Sequence, residues 1–157
     1  MISVQTGDFE LEAEYTSLRN HAGDAGAIVM FTGLVREIYA APNDDSDDLG
    51  KTERLFLEHY PGMTEKQLEK IARDASKRWP LLAVRIIHRV GELFPGDQIV
   101  LVATASSHRR AAFESADFIM DFLKSQAPFW KKQTSSSESR WIESRGSDTD
   151  SLRRWQE

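Results

Sequence analysis

The chain has 157 residues, 40% hydrophobic and 29% charged, with 20 Lys+Arg against 25 Asp+Glu and a net charge of -5. These figures suit one globular domain over 1–157, large enough to build a core without metal or cross-links. The absence of cysteine excludes disulfide frameworks, thiolate nucleophiles, zinc ribbons and iron–sulfur clusters.

In chain order, Leu11, Tyr15 and Leu18 recur at helical spacing. Gly26 then opens the apolar run Ala27–Phe31, which reads as a central strand leading into Thr32-Gly33-Leu34-Val35-Arg36. Asp44, Asp45, Asp47 and Asp48 crowd the stretch Ala41 to Lys51 and supply most of the net charge. That stretch is expected to be a solvated, mobile loop with no catalytic role. Arg54–His59 predicts a second strand, closed by a turn at Tyr60-Pro61-Gly62-Met63.

Thr64 and Gln67 match a capping box, and Leu68, Ile71, Ala72, Ala75 and Trp79 form one helical face that Pro80 terminates. Leu82–Val90 and Gln98–Ala105 read as an antiparallel pair separated by Gly91 and Pro95-Gly96-Asp97. Ser106 or Ser107 is expected to cap a second long helix, with Phe113, Ala116, Met120, Leu123 and Ala127 inward and Pro128 as its stop. Two short strands, Phe129–Gln133 and Arg140–Arg145, flank a Ser-rich turn, and Ser151–Trp155 forms a last short helix. The sum is an α+β fold with a largely antiparallel sheet and two long helices. No apolar run approaches the roughly 20 residues of a membrane helix. The acidic start (Asp8, Glu10, Glu12, Glu14) is no signal peptide, so a cytoplasmic protein is expected.

His21, His59, His88 and His108 share no ligand spacing and read as structural, so no metal site is expected. GxSxG and phosphate-loop patterns are also absent. The informative pentapeptide is Ser106-Ser107-His108-Arg109-Arg110, which places cations in the first turn of a helix where the macrodipole is already positive. Two readings follow: a site for a phosphate-like anion, or solvated side chains tethered by nearby carboxylates. A second cationic group comprises Lys124, in the last turn of the same helix, and Lys131 and Lys132 beyond Pro128. Strand alternation directs one of the latter two inward. A partly buried lysine among cations has a lowered pKa and can act as acid, base or nucleophile; the alternative is a pair of snorkelling surface lysines. The negative net charge and the lack of a basic stripe favour a small anionic ligand over nucleic acid.

Four segments in order carry a resemblance: FTGLVR (Phe31 to Arg36), LEHYPGM (Leu57 to Met63), IHRVGELFPGD (Ile87 to Asp97) with SSHRRAAFE (Ser106 to Glu114), and DFLKSQAPFWKK (Asp121 to Lys132). Together they resemble the large, catalytic subunits of molybdopterin synthases over nearly the whole chain. The resemblance implies an α/β-hammerhead type fold, a homodimer of large subunits and a small ubiquitin-like subunit at each end of a heterotetramer. The implied reaction adds two sulfurs to cyclic pyranopterin monophosphate, forming the molybdopterin dithiolene. Each sulfur arrives as a thiocarboxylate on the small subunit's C-terminus, so no resident cofactor is implied. By the same resemblance, Lys124 and Lys131 are catalytic, while Arg36, His108, Arg109, Lys132 and Arg145 bind substrate. His108, Arg109 and Arg145 are then supplied by the neighbouring large subunit. Leu34 stands where such subunits often carry lysine, and Gln133 where a glutamate commonly follows the two lysines. The competing reading is a non-catalytic module that holds a ubiquitin-like tail or a phosphorylated ligand.

Overall fold

A computed structural model describes residues 1–36, 53–134, 139–142 and 150–156. The elements are β1 (Ile2–Gln5), α1 (Leu11–Ala22), β2 (Ala27–Leu34), β3 (Arg54–His59), α2 (Met63–Arg78), β4 (Leu81–Arg89), β5 (Gly91–Leu93), β6 (Gln98–Ser106), α3 (Arg109–Gln126), β7 (Phe129–Thr134) and β8 (Ser139–Ile142). A 3-10 turn, Ser151–Trp155, follows. The strands form two four-stranded sheets, ordered β1-β4-β6-β2 and β5-β3-β7-β8. Every pairing is antiparallel except that of β1 with β4. The α+β class, the antiparallel bias and the two long helices agree with the sequence. The acidic stretch at 41–51 lies outside the described residues.

Among the described residues β2 is an edge strand, contrary to the central position expected of it, because β6 is its sole described neighbour in the sheet. Its apolar run reflects two covered faces rather than two flanking strands. Val29 joins the core that holds Phe118, Ile119 and Leu123 of α3, whereas Ile28 and Met30 pack with Leu18 and Ala22 of α1. The expected pairing of β4 with β6 forms. Between them Gly91, at φ 84, turns the chain out of that sheet so that β5 pairs with β3 in the other.

Both predicted helix caps are displaced. α2 starts at Met63 after Gly62, at φ 81, and the Glu65 carboxylate accepts the Gly62 N–H at 2.7 Å. Thr64 is fully buried and instead ties Tyr60: its hydroxyl donates to the Tyr60 carbonyl at 3.0 Å and accepts the Tyr60 N–H at 3.2 Å. At α3 neither serine caps. Ser106 ends β6, with its hydroxyl donating to Pro80 O at 2.9 Å, and His108 takes the cap position without a side-chain bond.

The inner stripe of α3 runs through Ala112, Ala116, Ile119 and Leu123, so Phe113, expected inside, is 63% exposed. Ala112 is where the helix meets β6, its carbonyl accepting the Thr104 hydroxyl at 2.7 Å. Such a close approach favours a side chain as small as alanine at the contact.

His88 of β4 is buried where the two sheets meet and stacks on Phe129 of β7, ring centroids 3.8 Å apart. Burial lowers its pKa to about 4, overcoming the opposing bond from its Nδ1 to the Arg89 carbonyl; the ammonium of Lys131 and the neighbouring His59 lower it further. An unfolded histidine titrates near 6.5, so below that pH protons bind preferentially to the unfolded chain. The stability held above pH 6.5 is therefore lost as pH falls toward 4, by about 3 kcal/mol from this one group. Urea unfolding between pH 7 and pH 4 checks this: His88→Leu is expected to flatten the fall, and an equally steep fall in that variant assigns it to other groups.

Candidate functional site

The cations singled out in the sequence fall at two ends of the molecule, and α3 joins them. At its first turn, the link from β6 lies against the start of β2. The Gly26 N–H donates to Ser106 O at 3.1 Å, and a Cβ on Gly26 would lie 2.2 Å from the Ser107 carbonyl oxygen. Glycine is thus required for this contact, a role the strand-opening position alone did not reveal. Gly26→Ala is expected to lower stability by about 2 kcal/mol or more by forcing the link outward. Thermal melting checks it, and an unchanged Tm contradicts the close approach.

Arg110 forms an ion pair with Glu114 at 2.7 Å, and Glu114 also accepts the Trp79 indole N–H at 2.9 Å. Those two donors hold the Glu114 carboxyl below its ordinary range. Arg110 therefore follows the tethered reading. Arg109 has no ion-pair partner among the described residues, and no carboxylate occupies the first turn of α3. Ser107, His108, Arg109 and Arg110 line an open hollow of about 460 Å³ together with Gly26. A larger hollow along α1 is lined by Glu10, Glu12, Ala13, Thr16, Ser17 and Asn20, and its two carboxylates disfavour an anion.

At the other end, Lys124 is exposed in the last turn of α3, which Ala127 closes by donating its N–H to Leu123 O at 3.2 Å. β7 then carries the two lysines on opposite faces, as alternation requires. Lys131 stands opposite Leu57 of β3, on the face that also bears buried Leu55 and half-buried Phe129. Lys132 stands opposite Phe56 and Trp141, with its ammonium 5.8 Å from the Trp141 ring. Lys131 is the inward-facing lysine, yet it is exposed at the rim and its charge reaches His88.

Arg36 follows the end of β2. Val35 is buried with Leu57, Leu93 and Phe129, and its backbone bonds Asp97 and Gly96 at 2.9 and 2.8 Å. Leu34, 55% exposed, offers an apolar surface where an ammonium was the alternative. Arg145 lies outside the described residues. No cluster of three or more metal-ligating side chains occurs among the described residues.

One chain therefore carries Lys124 at the last turn of α3 and Lys131 and Lys132 on β7 just beyond it, but has His108 and Arg109 at the opposite end of that helix. Along α3, Arg109 and Lys124 are separated by about 22 Å at 1.5 Å per residue. A small substrate cannot touch both ends of one helix of that length.

The model of the MoaE protein family matches residues 4–126. The chain belongs to the MoaE protein family. Among its relatives in this family, the molybdopterin synthase catalytic subunit of Vibrio cholerae is 49% identical over 155 residues, 99% of this chain and 97% of that protein. That of Escherichia coli is 48% identical, covering 98% of this chain and 97% of the relative. The solved MoaE protein of Burkholderia ambifaria superposes with a TM-score of 0.81 at 49% identity, covering 99% and 97% of the two chains. A solved molybdopterin synthase from Staphylococcus aureus gives 0.76 at 31% identity, covering 89% and 95%. Among the described residues of this MoaE-family chain, no helix is long and apolar enough to cross a membrane.

Proposed function

We propose that this chain is the catalytic subunit of a molybdopterin synthase, a cytoplasmic sulfurtransferase of molybdenum cofactor biosynthesis. It converts cyclic pyranopterin monophosphate to the dithiolene of molybdopterin with sulfur from the thiocarboxylated C-terminus of a small ubiquitin-like subunit. Two large subunits form a homodimer within a heterotetramer, and the full chain acts as one domain. The carrying observation is the division of the cations along α3. A complete pocket combines Arg36, Lys124, Lys131 and Lys132 of one subunit with His108, Arg109 and Arg145 of the other.

In that pocket, Arg36, His108, Arg109, Lys132 and Arg145 hold the phosphate and the pterin. Lys124 and Lys131 stabilise developing negative charge and move protons as the thiocarboxylate sulfur is transferred. Because the partner brings the sulfur, a chain without cysteine can catalyse the step. The deciding experiment incubates the protein with the pterin precursor and a thiocarboxylated partner and looks for dithiolene product. Binding of both without product establishes the non-catalytic module instead.

A further inference from the structure

His59 ends β3 on the strand face that carries Leu55 and Leu57, and its register partner on β7 is Phe129. Lys131 lies two residues along β7, opposite Leu57, so His59 and Lys131 are diagonal neighbours on one face. Diagonal positions of an antiparallel pair stand about 7–8 Å apart, within reach of a long side chain. His59 and Lys131 both act electrostatically on His88, and Phe129, opposite His59 in register, stacks on the His88 ring. Among the described residues, the His59 Nδ1 is a buried side-chain polar atom with no hydrogen-bond partner. A buried ring nitrogen in a native fold is normally bonded. Leu57 and Phe129, the neighbours of His59 on that strand face, have no polar atom to offer, and the His88 Nδ1 is already committed to the Arg89 carbonyl. An ammonium has three donors, so Lys131 can spare one while keeping other contacts.

We propose that His59 is a positioning residue for Lys131, its Nδ1 accepting a hydrogen bond from the Lys131 ammonium and holding that group at the rim of the pocket. This rests on the catalytic reading of Lys131 above. A held ammonium meets the substrate in one geometry, whereas a free one samples many rotamers. Losing the acceptor therefore lowers turnover more than substrate binding.

The test compares His59→Leu, which has no acceptor, with His59→Asn, whose amide oxygen lies near the place of Nδ1, in the full chain with its thiocarboxylated partner. His59→Leu is expected to lower kcat about tenfold with KM within about twofold, and His59→Asn to recover most of the loss. The second readout is independent of activity: competitive acetylation of each lysine, read by mass spectrometry. Removing the acceptor makes the Lys131 ammonium give up its proton more readily. Lys131 labelling is therefore expected to rise at least about twofold in His59→Leu, with Lys70 and Lys77 on α2 unchanged. Should His59→Leu fail to fold, His59→Gln, whose acceptor is displaced from the Nδ1 position, takes its place and is expected to be equally defective. Unchanged Lys131 labelling, or an Asn variant no more active than the Leu variant at equal Tm, overturns the proposal. A labelling shift in a protein that makes no dithiolene overturns the catalytic reading and leaves the His59–Lys131 bond standing.

Discussion

Lys124→Ala is expected to reduce dithiolene formation by at least about 100-fold while leaving the dimer folded. The side chain is exposed in the last turn of α3, beyond buried Leu123, so truncation removes a charge and almost no packing. Surface substitutions of this kind change stability by about 0.5 kcal/mol or less, and Tm is expected to stay within a few degrees. Single-turnover product formation together with a melting curve checks both halves. A folded variant with near-normal turnover removes Lys124 from the catalytic role.

Mixing two inactive variants is expected to restore activity if each pocket draws on two chains. After subunit exchange between Lys124→Ala and Arg109→Ala, half of the dimers are mixed. Each mixed dimer holds one pocket with both defects and one with neither, so activity recovers to about a quarter of wild type. The separation of the two ends of α3 motivates this directly, since the lysine and arginine of one chain cannot share a small ligand. Mass spectrometry establishes exchange. Exchange without recovered activity means that each site is built within a single chain.

Much of the fold was legible because long segments were consistent at several levels. The α2 face of Leu68, Ile71 and Ala75, stopped by Pro80, is buried as its spacing required. The failures have local physical causes. An apolar run reports how many faces are covered and cannot report how many strands flank it, so β2 was misplaced. Phe113 satisfied the 3/4 spacing, but the stripe through Ala116 and Leu123 continues to Ala112, which meets Thr104, and leaves Phe113 in solvent. β1 and β5, of four and three residues, are too short to show a period. Of the site, strand alternation correctly gave Lys131 and Lys132 opposite faces. The contributions of Gly26 and His59 depend on partners distant in sequence, the Ser107 carbonyl and β7, which spacing cannot express.

The eighteen residues of α3 also act as a gauge. If each pocket draws on two subunits as proposed, then with His108 and Arg109 at one end and Lys124 at the other a single rigid rod serves both pockets and helps set the distance between them. Thr104 pins its backbone at Ala112, and further along Arg154 and Trp155 donate to the Asp121 carboxylate. Inserting one residue would lengthen the rod by about 1.5 Å and turn one set of cations by roughly 100° relative to the other. On that reading, register within this helix is a shared property of two active sites, and a helical slip that left each end chemically intact would still misalign both.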